Sequence, residues 1–384
     1  VVDKYVENGD FYKLIPGGNL FLRDLAEKVR RMSDNEEELI RNATYMLRKQ
    51  VRWDESETLW PEASLRKIFQ EERYGTSADM NFLLLKLLHL LEVKSAPMVM
   101  STRDEGLITP FFPTLDRFNY VITYARTGEK EFFIDAADKY VPVELISERC
   151  INMGGLVVHE EMGGWKSFQP GKGKKRLVTC RLELTDPQNA RGKITIQHDE
   201  YSAVAFRRDY DQYESHDAFL EAFEKKHSGI YVVEHEVQGM DTAYGQVTEL
   251  YEVEIDGLVT RTGNMLYIDP FLLDKLTENP FKLEERTYPV DFTVPATTMY
   301  SLQLTIPEGY EVMQVPEDLR MITSSKDAAY TFTARAVDRS FQCMEMMRLK
   351  KPVFIASEYP ELRSFFGKMV VKESEPIILK KKVL

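Results

Sequence analysis

Tyr74-Gly75-Thr76-Ser77-Ala78-Asp79-Met80-Asn81-Phe82-Leu83-Leu84-Leu85 joins a tight turn to a run that is apolar nearly all round. Gly75 permits the turn. Thr76 and Ser77 are helix-capping types, and Asp79 puts a negative charge in the first turn, where the helix dipole favours it. The run onward to Glu92 reads as a helix buried on every side, which places it at the centre of a domain.

Elements on either side of this helix have different periods. Upstream, Ser33-Asp34-Asn35-Glu36 opens a helix whose apolar positions Leu39, Ile40, Ala43, Met46, Leu47 and Val51 recur at helical spacing. Pro61 is expected to open a shorter helix over 62–70, with Leu65, Ile68 and Phe69 on one face. Downstream, residues 96–101, 118–124 and 131–135 are rich in Val, Ile, Tyr and Phe and read as strands. Arg126-Thr127-Gly128-Glu129-Lys130 turns between the last two, predicting an antiparallel hairpin. Residues 1–165 are thus a mixed helix-and-strand domain.

The stretch 153–175, carrying Gly154, Gly155, Gly163, Gly164, Gly171 and Gly173, is expected to be the exit linker. Residues 166–384 then form a β-rich, sandwich-like region with strands over 177–184, 193–198, 230–235, 247–255, 265–268, 290–294, 300–306 and 330–336. One helical insertion, capped by Ser215 and stopped by Gly229, interrupts them. Asn279-Pro280-Phe281 suggests two sub-units, 166–278 and 279–384. The fold class is α+β.

Composition bounds the function. The chain has 384 residues, enough for two or three domains. Its net charge of −12 opposes binding to phosphate backbones, so nucleic acid is excluded as a partner. No apolar run reaches the ~20 residues of a membrane span. Cys150, Cys180 and Cys343 are too widely spaced for a zinc motif and odd in number, so inert thiols are expected.

Seven segments carry a resemblance. The run Tyr74–Leu85 resembles the Gly-Asp-Cys-x-Asp-x-x-x-Leu-Leu segment of transglutaminase-like domains. Ser95-Ala96-Pro97-Met98-Val99-Met100-Ser101 looks like the strand that follows. Phe118-Asn119-Tyr120-Val121-Ile122 and Phe133-Ile134-Asp135-Ala136-Ala137-Asp138 are similar to the strands bearing that family's histidine and aspartate. Asn279-Pro280-Phe281, Arg286–Phe292 and Glu358–Phe366 resemble the β domain that accompanies such proteins in Gram-negative envelopes. The resemblance implies a papain-like core and an exported, periplasmic or surface location. It also implies that the upstream β domain common in such proteins is missing from this chain, which begins at Val1 as a trimmed or mature fragment would.

The same resemblance puts Ser77, Tyr120 and Asp135 at the positions of the cysteine, histidine and aspartate. Such a site needs a thiolate, an imidazole to take its proton and a carboxylate to orient the imidazole. Two of the three are absent. His89 lies about 18 Å along the helix from Ser77, too far to act as its base. The expected function is therefore non-catalytic: binding or scaffolding of a peptide, protein or glycan at the cell envelope, with no cofactor and no metal. The alternative is a hydrolase or acyltransferase with a displaced nucleophile or base, such as His159 or His198. Ser77 and Thr76 also read simply as caps, and Tyr120 as a strand aromatic. His198-Asp199-Glu200 and His159-Glu160-Glu161 lack a second cluster for metal binding. Trp53, Trp60, Trp165, Tyr120 and Tyr124 are available to line a cleft, although core packing explains them as well.

Overall fold

The computed structural model describes residues 14–108, 117–167, 171–186, 188–240 and 244–382. The protein is α+β and divides into two units, Val1–Gly171 and Lys172–Leu384.

In the first unit, α1 (Arg23–Arg31) precedes α2 (Glu36–Gln50). Asn35 caps α2, not Ser33: its side chain accepts from the Glu38 N–H at 3.0 Å, and Glu38 reaches back to the Asp34 N–H at 2.8 Å. The next helical turn starts at Leu65 and not beside Pro61, and it widens into a π turn over Ile68–Glu72 that ends at Arg73, φ 64°. The central helix α3 (Ser77–Leu90) is buried from Ser77 through Leu88. It packs against α2 and against a five-stranded antiparallel sheet. The strands are β1 (Lys94–Met100), β2 (Tyr120–Thr127), β3 (Lys130–Ile134), β4 (Gly155–Val157) and β5 (Gly164–Lys166), in the order β3-β2-β1-β4-β5. One apolar cluster, including Ile40, Leu47, Phe82, Leu84, Leu88, Val121 and Val158, joins helices to sheet.

The glycine-rich stretch is therefore not simply a linker. Its first half is the β4–β5 hairpin, which extends the sheet beside β1. Glycine is needed there for close backbone approach: a Cβ at Gly154 would lie 2.1 Å from the Lys166 carbonyl oxygen, and one at Gly163 would lie 2.1 Å from that of His159. Residues 168–170 of the expected linker lie outside the described residues.

The second unit begins with β6 (Lys174–Leu184) and β7 (Ala190–Glu200), each alternating buried and exposed side chains. Two helices follow where one was expected, α4 (Tyr201–Tyr210) and α5 (His216–Lys226). Next come β8 (Ile230–Gln238), β9 (Val247–Ile255), β10 (Val259–Thr262), β11 (Met265–Ile268), β12 (Ala296–Thr305), β13 (Tyr310–Gln314), β14 (Leu319–Ile322), β15 (Ala328–Val337) and β16 (Ser340–Leu349). A helix not expected from the sequence, α6 (Tyr359–Glu373), precedes β17 (Ile377–Lys381). The large sheet runs β8-β9-β7-β6-β12-β16-β15-β14, and a smaller one runs β10-β11-β17-β13. Residues before and after 278/279 meet in the parallel pair β6–β12 and share one core with α6. The two sub-units expected there form one body.

Candidate functional site

Thr76, and not Ser77, caps α3. Its hydroxyl accepts from the Asp79 N–H at 3.3 Å, while the Asp79 carboxylate accepts from the Thr76 N–H at 2.9 Å. Burial pushes the Asp79 carboxyl above its ordinary value, against the pull of these Thr76 bonds. Ser77 is the first helical residue. Its side chain accepts from the Thr58 N–H at 2.9 Å and donates to the Thr58 carbonyl at 3.3 Å. The Ser77 N–H donates to the Ser56 carbonyl at 2.9 Å, which also accepts from the Trp53 indole at 2.9 Å. The segment 54–58 thus lies across the helix N-terminus and satisfies both the hydroxyl and an N–H that a helix start leaves without an intrahelical partner.

Four residues after Ser77, Asn81 ties the three expected site residues into one network. Its amide donates to the Ser77 carbonyl at 3.0 Å and to Asp135 Oδ1 at 3.3 Å. Its oxygen accepts from the Thr123 and Ala136 N–H groups at 3.1 and 3.0 Å. Asp135, at the end of β3, is 1% exposed. Tyr120, the first residue of β2, donates its hydroxyl to both carboxylate oxygens, at 3.2 and 3.1 Å. Burial, and then the Asp135 charge, hold the Tyr120 hydroxyl well above its ordinary pKa, so it stays a donor. The structure brings Tyr120 and Asp135 into direct contact and links Ser77 to them through Asn81. Ser77's own hydroxyl bonds to Thr58.

Arg149 completes the cluster. Its guanidinium bonds Glu57 at 2.7 Å and approaches Asp135 at 3.7 Å and Asp138 at 3.8 Å. It lies over the Trp53 ring at 4.4 Å and near the Tyr120 ring at 5.9 Å. Burial alone would lower its pKa, but the negative charges beside it, Asp135 and Asp138 among them, outweigh that and hold it above the ordinary value. Arg48 donates to the carbonyls of Asp135, Ala136 and Val141, which fixes the loop after β3. Cys150 is fully buried, and burial with the nearby Asp135 charge pushes its thiol well above the ordinary range, so it is no thiolate.

Asn81 has a signal in the sequence, as a lone amide in an apolar helix one turn from Ser77. Arg149, Glu57 and Thr58 have none, because their contacts with the cluster come from distant parts of the chain. Of the first unit's two histidines, His89 sits on the last turn of α3, and His159 accepts from the Glu161 and Met162 N–H groups through Nδ1. In the second unit, His198 bonds Glu249 at 2.8 Å. The arrangement orients a carboxylate and presents a cation. It does not generate a nucleophile from Ser77, since a hydroxyl without a base is a weak one. No group of three or more His, Cys, Asp or Glu among the described residues is disposed to hold a metal ion, and no helix among them is long and apolar enough to cross a membrane.

Comparison with known proteins adds two likenesses. Residues 264–379 match a family model described as a domain of unknown function with a solved structure, DUF3858. The chain also superimposes on the crystal structure of a protein from Parabacteroides distasonis ATCC 8503 described as a "putative protease", with a TM-score of 0.52 and 11% identity. The match covers 99% of this chain and 57% of the other, so this chain spans little more than half of that protein's length. At that identity the likeness concerns the fold. No curated protein matches the chain.

Proposed function

We propose that the first unit is a transglutaminase-like domain without its catalytic cysteine and histidine, and that it binds or scaffolds a peptide, protein or glycan at a bacterial cell envelope. One observation carries the reading: Tyr120 donates to Asp135 where the resemblance calls for an imidazole. Cover of the α3 N-terminus by residues 54–58 supports it, because an acyl-transfer site needs those N–H groups free for an oxyanion. The protease description of the structural neighbour fits a shared ancestral fold, while Ser77 and Tyr120 argue against the same chemistry here. The second unit, with its DUF3858 match, is the accompanying β domain, and the envelope location follows from the resemblance.

Restoring the lost groups tests the register. Ser77→Cys with Tyr120→His puts a thiol at the helix N-terminus and an imidazole beside Asp135. The double variant should alkylate with iodoacetamide at mildly acidic pH much faster than Ser77→Cys alone, because the pair lowers the thiol pKa. Identical pH profiles for the two variants would break the correspondence with the family. A thermal-shift screen of peptides and glycans tests the binding role, with Arg149→Met expected to abolish the shift given by a true ligand of this cleft. Peptidase activity of the unmodified chain that vanishes with Ser77→Ala would overturn the non-catalytic reading.

A further inference from the structure

We propose that His216 and His235, in the second unit, form a two-histidine site for a transition-metal dication of the zinc, copper or nickel kind. His216 is the first residue of α5 and is exposed, whereas the His235 side chain, on β8, is fully buried. His216 Nε2 and His235 Nδ1 face each other at 3.4 Å, with ring centroids 5.0 Å apart and planes within 13°. Two imidazoles bound to one tetrahedral ion through nitrogens about 2.0–2.1 Å away put those nitrogens about 3.3–3.4 Å apart.

The outward nitrogen of His216 is held by a hydrogen bond, and that of His235 faces a carboxylate. A ligating histidine uses its other N–H on an oxygen, which fixes the tautomer and the ring. His235 Nε2 points to Glu249 Oε2 at 3.9 Å and has no hydrogen-bond partner of its own. Glu249 is itself held by His198 and by the Tyr251 hydroxyl. His216 Nδ1 meets the Tyr210 hydroxyl at 2.9 Å. The His235 ring is clamped between Tyr251 at 4.2 Å and Phe219 at 5.6 Å, so its direction is preset.

Tautomers make the site ready without loss of a proton. Without metal, a consistent set has Tyr210 donating to His216 Nδ1, His216 Nε2–H donating to His235 Nδ1, and His235 Nε2–H directed at Glu249. Binding moves the His216 proton to Nδ1, which then donates to the Tyr210 oxygen, and leaves two nitrogen lone pairs for the ion. Among the described residues the two imidazoles are the protein's set, and the exposed His216 side leaves the remaining positions to water or to a donor from a ligand.

The test uses the untagged full chain titrated with Zn2+ and, separately, with Cu2+. One saturable equivalent is expected, lost on His216→Ala and retained on His227→Ala. Tyr210→Phe should weaken binding by about tenfold, the effect of removing an outer partner of a ligating imidazole. The Cu2+-loaded protein should give an electron paramagnetic resonance spectrum with hyperfine structure from two nitrogens. Because His216 is exposed, its removal leaves the fold intact, which circular dichroism verifies. Absence of saturable binding, binding that survives His216→Ala, or a spectrum lacking two nitrogens would each overturn the proposal.

Discussion

Replacing Tyr120 by phenylalanine isolates one hydroxyl in the candidate site. Asp135 Oδ1 has other donors, the Ala137 N–H at 3.1 Å and the Asn81 amide at 3.3 Å. Among the described residues, Asp135 Oδ2 has only Arg149, at 3.7 Å, besides Tyr120. Tyr120→Phe keeps the ring and its packing but leaves that buried oxygen short of a donor. A hydrogen bond to a charged group contributes about 1.5–3 kcal/mol, so the variant should lose about 2 kcal/mol. For a unit of this size that lowers the melting temperature by about 4–8 °C in scanning calorimetry. Tyr124→Phe is the control. That hydroxyl bonds Glu131 at 2.7 Å, but Glu131 is part-exposed and also holds Lys166, so its loss should cost no more than about 1 kcal/mol. Equal shifts for the two variants, or no shift for Tyr120→Phe, would refute the claim that Tyr120 stands in as the donor to a buried carboxylate.

Other outcomes follow from the same structure. Ser77→Ala should cost about 1 kcal/mol and speed amide exchange at Thr58, whose N–H loses its acceptor, while Thr76→Ala should cost a similar amount by removing the true helix cap. In the second unit, burial raises the carboxyl of Glu345 to about 8 and that of Glu373 to about 7, and Glu373 adds to the shift at Glu345. Both pKa values lie above the ordinary 4.5, so the fold favours the protonated forms. Their contribution is full below about pH 4.5 and fades as pH rises through about 7–8, a loss on the order of a few kcal/mol. Glu345→Gln should flatten that decline in denaturant titrations across this range, and a slope unchanged from the parent would show that Glu345 is not the group responsible.

Much of the first unit is written locally. The Thr76–Asp79 cap, the apolar run behind it and the strands β1, β2 and β3, rich in Val, Ile, Tyr and Phe, each follow from neighbours in the chain, and they form as such. Where the reading fails, the deciding contact is distant or the backbone departs from its usual start signals. Helix α4 begins directly after Glu200, which takes φ 53° and makes no side-chain cap, so the end of β7 offers no warning of it. Helix α6 does carry a signal, Pro360 in its first turn and Leu362, Phe365, Phe366 and Met369 on one face. A region otherwise read as strands hides it. Ser77 fits a capping residue by type, yet Thr76 takes the cap, because the hydroxyl of Ser77 is claimed by Thr58, 19 residues earlier. His216 and His235 meet across 19 residues and two different elements, beyond the reach of any local motif.

The burial of Asp135 has a physical account that needs no catalysis. A carboxylate 1% exposed costs several kcal/mol to desolvate unless donors surround it. Tyr120, Asn81, the Ala137 N–H and Arg149 are those donors, and two are fixed by further bonds: Asn81 to Thr123 of β2 and to Ala136 beyond β3, Arg149 to Glu57. Removing the carboxylate would take from the buried Tyr120 hydroxyl the acceptor it uses, and leave the Asn81 amide and the Arg149 cation with one acceptor fewer. The aspartate is therefore held in place by its partners. The group that the carboxylate faces sets what the pair can do. An imidazole can take a proton near neutral pH, and the Tyr120 hydroxyl, kept protonated by burial and by the charge beside it, can only donate.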